Sequence, residues 1–102
     1  MAKLSRTEIE QQLKTISGWT LDVQGAGAPA RSEDAIHKRY TFASFPDAIA
    51  FVNRLAPEAE AADHHPDILI SYRRVTLTYS THSEGGLTAK DFVGAATADR
   101  VA

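Results

Sequence analysis

The chain has 102 residues, 43% hydrophobic and 24% charged, with a formal net charge of -2, which fits one soluble globular domain (1–102) whose small core would gain from assembly into oligomers. Without a basic excess or basic cluster, nothing points to nucleic acid or a membrane surface, and the lack of cysteine excludes disulfides, thiolate nucleophiles and zinc–thiolate sites. The longest apolar run, Ala48 to Val52, is far too short to span a bilayer, and the first residues lack the apolar stretch of a secretory signal, so a cytoplasmic location is the expectation.

The first helix is announced by Ser5 and Glu8 in capping-box register, with Leu4 and Ile9 as its hydrophobic staple. Ile9, Leu13 and Ile16 recur on one face, and Gly18 suits the helix end. Trp19 to Val23 predicts a strand and Ala35 to Phe42 a second. The second alternates Ile36, Lys38, Tyr40 and Phe42 with Ala35, His37, Arg39 and Thr41. The glycines and proline of residues 24–32 read as a hairpin loop, not a phosphate loop, because no Lys-Ser/Thr follows at the required spacing.

A second helix starts near Ser44, with Asp47 in capping-box register and an apolar stripe of Phe45, Ile49, Val52, Ala56 and Ala59. Pro57 predicts a kink, and the helix ends near Asp63 or His64 because His65 precedes Pro66. Asp67 to Tyr72 and Val75 to Thr81 form a second hairpin, and Gly85-Gly86 a turn. Thr88 and Asp91 then open a third helix, stapled by Leu87 and Phe92, with Phe92, Ala95, Ala96 and Val101 as its face. The order αββαββα predicts an α+β fold: a four-stranded antiparallel sheet with three helices on one face. His37, Arg39, Thr41, Thr76, Thr78 and Ser80 would line the other.

Three of the four histidines, His64, His65 and His82, lie close together in the chain. Histidine both gives and takes protons near neutrality. Glu60 and His64 are four apart, so their side chains meet if the last helical turn holds. The final strand returns His82 toward Pro66. A cluster of Glu60, His64, His65 and His82 suits acid–base catalysis, and equally a zinc or iron site or surface decoration. No serine has the surroundings of a nucleophile elbow.

At these residues the chain resembles the pterin-4a-carbinolamine dehydratases. Their signature reads here Glu60, His64-His65-Pro66, Tyr72, His82 and Asp91, every gap in place. Gly18-Trp19, Phe51-Val52-Asn53, Ala62 to Ile68, Val75-Thr76-Leu77, Thr81-His82 and Gly86-Leu87-Thr88 carry the likeness across nearly the whole chain from about Leu4. The resemblance implies His64, His65, His82 and Glu60 as catalytic residues, Asp63, Pro66, Ile68 and Thr81 beside the substrate, and no metal or organic cofactor. Some relatives carry tryptophan where this chain has Ile68. The implied reaction removes water from a 4a-hydroxytetrahydropterin, giving the quinonoid dihydropterin. The implied partners are that pterin, an aromatic amino-acid hydroxylase of the same pathway, and further copies of the chain in a homodimer or homotetramer.

Plainer roles stand beside these. His37 reads as a solvent-facing bystander, Asp91 as a helix cap, Tyr72 as packing at a strand end and Trp19 as core. A competing function is a non-catalytic binding module. Proteins of this fold also serve as dimerisation partners of an animal homeodomain transcription factor, and related forms assist carboxysomal enzyme assembly. Those assembly forms tend to lose the histidines retained here.

Overall fold

The computed structural model describes residues 3–25 and 31–102. Its elements follow the expected order: α1 (Arg6–Leu13), β1 (Thr20–Asp22), β2 (Ala35–Thr41), α2 (Phe45–Ala62), β3 (Asp67–Ser71), β4 (Arg74–Tyr79), a 3-10 turn (His82–Glu84) and α3 (Ala89–Val101). Part of the hairpin loop expected over 24–32 lies outside the described residues. Among the described residues, no helix is long and apolar enough to cross a membrane.

The capping boxes read at the starts of α1 and α3 both form. Ser5 N–H donates to Glu8 Oε1 at 2.9 Å, and Glu8 N–H returns to Ser5 Oγ at 3.2 Å. Leu4 and Ile9 both pack into the core. Gly18, however, does not end α1. The helix stops at Leu13 because Thr15 N–H and Ile16 N–H reach back three residues, to Gln12 O and Leu13 O, tightening its end. Gly18 instead turns the chain into β1 at φ +85°.

The sheet runs β1-β2-β4-β3, each neighbouring pair antiparallel. Its register sets Ile36, Lys38 and Tyr40 of β2 opposite Tyr79, Leu77 and Val75 of β4. The two-residue period therefore places all six on the helix-covered face. Lys38 is polar on that face because its ammonium reaches Asp99 of α3 at 2.9 Å. Asp99 also accepts from Trp19 Nε1–H at 3.2 Å and from the Tyr40 hydroxyl. Burial alone would raise the Asp99 carboxyl, but these three donors hold it below the usual carboxylate range. His37, Arg39, Thr41, Thr76 and Thr78 share the open face. Ser80 keeps their alternation yet is buried, its hydroxyl donating to Asp34 O at 2.8 Å. His37 is no bystander in solvent: its Nδ1–H donates to Asp22 Oδ2 on β1 at 2.7 Å. Tyr72 is not packed either. It occupies the β3–β4 turn at φ 56° and is 65% exposed.

The helices are rotated relative to their expected stripes. In α2 the buried residues are Ala48, Phe51, Leu55 and Ala59, whereas Phe45 and Ala56 are exposed. The helix is turned by less than one residue step of about 100°. Burying the bulky Phe51 and Leu55 removes more apolar surface from water than burying Phe45 and Ala56 would. Pro57 lies inside α2, on its exposed side, without ending it. Ser44 Oγ accepts from Asp47 N–H at 3.2 Å, the forward half of a capping box. In α3 the buried face centres on Ala95 and includes Asp91, Phe92 and Ala98, while Ala96 is exposed.

Gly94 shows how closely α3 lies on the sheet. A Cβ there would stand 2.5 Å from Tyr79 Cε1 and 2.8 Å from Cζ. The Tyr79 ring is buried beside Trp19 and His64, with centroids 5.9 and 5.8 Å away, so admitting a methyl there disturbs the packing on both. Gly94→Ala is therefore expected to destabilise the fold by about 1 kcal/mol in chemical denaturation. The overpacking cost of about 1–3 kcal/mol exceeds the helix-propensity gain of about 1 kcal/mol. A variant more stable than the parent would show that the contact relaxes freely.

Candidate active site

The site begins where α2 ends. Asp63 adopts the left-handed conformation at φ 50°, ψ 41°. Asp63 N–H then bonds Glu60 O at 3.1 Å and His64 N–H bonds Ala59 O at 3.2 Å, the Schellman arrangement usually built on glycine. This reversal carries His64 off the helix, so Glu60 and His64 are no longer stacked one turn apart. The Glu60–His64 pair expected from spacing does not form. His64 Nε2–H donates instead to Asp91 Oδ1 on α3 at 2.6 Å, and Glu60 Oε1 accepts from His65 Nε2–H at 2.8 Å.

Asp91 combines two jobs. Its Oδ2 accepts from Thr88 N–H at 2.9 Å, closing the α3 capping box, and from the Thr81 hydroxyl at 2.9 Å. Thr81 has spent its only hydroxyl proton, so Thr88 O–H is the donor in the 2.9 Å Thr81–Thr88 bond. Asp91 has 0% exposure and Thr81 and Thr88 are buried with it. A cap alone needs no such burial. The network fixes the carboxylate and thereby the ring of His64, which also stacks on Tyr79 with centroids 5.8 Å apart. Burial, then the charge of Asp91, pushes the Tyr79 phenol up to about 12, so it holds its proton at neutral pH.

His82 stands at the start of the 3-10 turn, directly after Thr81. Thr81 itself pairs with Gly86 as an isolated bridge, so the histidine is held at the rim of the sheet. Its Nδ1 contacts the carboxylate of Glu33, from the segment before β2. The three histidines of the motif thus each have their own carboxylate.

His64, His65 and His82 line one polar cleft of about 400 Å³, with Asp63, Ser80, Thr81, Ser83 and Lys90. Of the expected substrate contacts, Asp63 and Thr81 reach this lining. Pro66 and Ile68 stand outside it, Ile68 on β3 opposite Leu77, and Glu60 meets it only through His65. A second, apolar cavity of about 180 Å³ lies between α2 and α3, lined by Leu55, Ala59, Tyr79, Val93 and Gly94 among others, with His64 shared by both. Among the described residues, no three histidine, aspartate or glutamate side chains are arranged to hold a metal ion.

Sequence reasoning missed two of these groups. Asp91 belonged to the motif, but its capping position masked its bond to His64. Glu33 carried no local signal, because its partner is far away in sequence and meets it only through the antiparallel pairing of β2 with β4.

Comparison with known proteins agrees with the motif. The family model for pterin 4 alpha carbinolamine dehydratase matches residues 2–101. A relative from Roseiflexus castenholzii, provisionally named pterin-4-alpha-carbinolamine dehydratase, is 48% identical over 100 residues, 98% of this chain and 97% of its own. One from Nostoc punctiforme with the same provisional name is 45% identical over 98 residues, 96% of this chain and 95% of its own. A crystal structure described as a transcriptional coactivator/pterin dehydratase from Brucella melitensis superposes with TM-score 0.84 at 33% identity, covering 98% of both chains. A pterin dehydratase-like protein described as a RuBisCO assembly factor of the alpha-carboxysome shares the fold at TM-score 0.65 and 22% identity, over 82% of this chain and 88% of that one. With the family model matched from end to end and close relatives alike over their full length, this chain belongs to the pterin-4-alpha-carbinolamine dehydratase family.

Proposed function

We propose that the chain dehydrates 4a-hydroxytetrahydropterin to quinonoid dihydropterin by histidine acid–base catalysis, without a metal or organic cofactor. The observation that carries this reading is the convergence of His64 and His82 on one cleft, each tied to its own buried carboxylate. A carboxylate only accepts, so the bonded nitrogen of each ring carries hydrogen. His64 and His65 then offer Nδ1 to the cleft and His82 offers Nε2. One imidazolium gives its proton to the C4a hydroxyl, the C4a–O bond breaks and water leaves. The N5 lone pair closes the C4a=N5 bond, and a neutral imidazole takes the N5 proton. One histidine gains the proton that another loses, so a proton transfer between them resets the site.

In this role the enzyme returns the spent pterin of an aromatic amino-acid hydroxylase toward reuse. Asp63 and Thr81 border the substrate's place; Thr81 acts mainly through Asp91. A cytoplasmic homodimer or homotetramer suits the exposed apolar residues at the β3 edge, Leu69 at 64% and Ile68 at 40%. A non-catalytic assembly role shares the fold but requires none of the histidine–carboxylate pairs.

The test is dehydration of a freshly generated 4a-hydroxytetrahydropterin by chelator-treated protein, followed against the uncatalysed rate. Faster dehydration is expected. No acceleration would leave only the binding-module reading, and activity lost on chelation but restored by zinc or iron would overturn the metal-free mechanism.

A further inference from the structure

Two carboxylates are buried among the described residues, Asp91 and Glu33, and each faces a histidine of the cleft. Removing a carboxylate from water is costly unless charge or hydrogen bonds compensate. Asp91 is compensated by the capping network. Glu33 caps no helix. Its side chain is 8% exposed, and the group it meets is the Nδ1 of His82, a ring 77% exposed. An imidazole that open to solvent is not fixed by packing. The buried carboxylate is the group able to fix it.

The segment carrying Glu33 is itself anchored to the strand end that carries His82. Ser80 Oγ–H donates to the backbone carbonyl of Asp34 at 2.8 Å, and Gln24 N–H donates to Asp34 Oδ1 at 2.6 Å. Glu33 is thereby held in place from the residue beside it. A ring nitrogen's proton is set by the bond the other nitrogen makes. A free imidazole in water prefers hydrogen on Nε2, the opposite of what this pair imposes.

We infer that Glu33 is the positioning residue of His82: it holds the ring in the Nδ1–H form and turns a basic Nε2 toward the cleft. Its catalytic consequence rests on the dehydratase reading above; the pairing does not. His64 is held through the other nitrogen, so two carboxylates on different elements present the substrate with one Nδ1 and one Nε2.

The experiment uses the full chain labelled with 15N-histidine, at a pH where the imidazoles are neutral. Long-range 1H–15N correlations report which ring nitrogen carries hydrogen. The parent is expected to show His82 as Nδ1–H. Glu33→Ala should return it to mainly Nε2–H, with the patterns of His37, His64 and His65 unchanged. Glu33→Gln, whose amide oxygen still accepts, should retain Nδ1–H and guard against misfolding of the alanine variant. In the carbinolamine assay, Glu33→Ala should lower kcat about tenfold, less than removal of His82 itself, with KM little changed and partial recovery in Glu33→Gln. An Nε2–H form in the parent, or no change in Glu33→Ala, overturns the pairing. A changed tautomer with unchanged kcat in an active parent overturns the catalytic role and leaves the dehydratase reading standing. A parent with no dehydratase activity removes both the reading and the catalytic role, while the tautomer result still decides the pairing.

Discussion

Replacing His82 or His64 is expected to lower dehydration turnover by about 10²-fold or more, the scale for losing a positioned acid or base. The two substitutions differ in what else they disturb. His82 is 77% exposed, so His82→Ala should keep the parent's thermal midpoint within a few degrees. The His64 side chain is 12% exposed and donates to the buried Asp91. His64→Ala strips Asp91 of that donor, at a cost of about 1–3 kcal/mol. His64→Gln, whose amide can still donate, separates the catalytic loss from this instability. His65→Ala should act more on KM, because its exposed ring is held at the rim by Glu60. His37→Ala should match the parent in turnover, since His37 pairs with Asp22 on the open face of the sheet. Full activity in folded His64→Gln and His82→Ala would rule out the site. Equal damage from His37→Ala would move the ligand to the open face.

Asp91→Ala is expected to show the largest loss of stability. It removes a helix cap worth about 1 kcal/mol. It also leaves Thr88 N–H, the Thr81 hydroxyl and His64 Nε2–H buried without their acceptor. Each such orphan costs about 1–3 kcal/mol, and three in one network do not add fully, so a total near 3 kcal/mol follows. At about 4–8 °C per kcal/mol for a domain of this size, the thermal midpoint should fall by more than about 10 °C. Asp91→Asn keeps one carbonyl acceptor but loses the charge that holds His64. It should stay folded and lose turnover without a matching loss of substrate binding. An unchanged midpoint in Asp91→Ala would disprove the network. Full turnover in Asp91→Asn would reduce Asp91 to a cap.

The helix faces show where one-dimensional reading stops. The stripe from Phe45 to Ala59 and the buried stripe from Ala48 to Ala59 have the same period and run side by side on α2. Periodicity cannot choose between them; the space beneath the helix does, and it accommodates Phe51 and Leu55. The same limit applies to Ala96 and Ala98 in α3. Glu60 and His64 obeyed the four-residue rule on paper, but that rule assumes a helix continuing past Ala62. The left-handed turn at Asp63 ends it there.

By itself, the sequence determined the element order, both reciprocal capping boxes, the antiparallel sheet with one face covered, and the histidine motif that carries the family. These are local signals. A cap spans four residues, a strand alternates every second residue, and the His-His-Pro spacing is read along the chain. Only the tertiary structure decided which carboxylate serves which histidine. Asp91 reaches His64 because α3 packs beside the end of α2, and Glu33 reaches His82 because β2 and β4 are neighbours in the sheet. Such pairings depend on the three-dimensional distance between groups far apart in sequence, and on burial that makes an unpaired carboxylate costly.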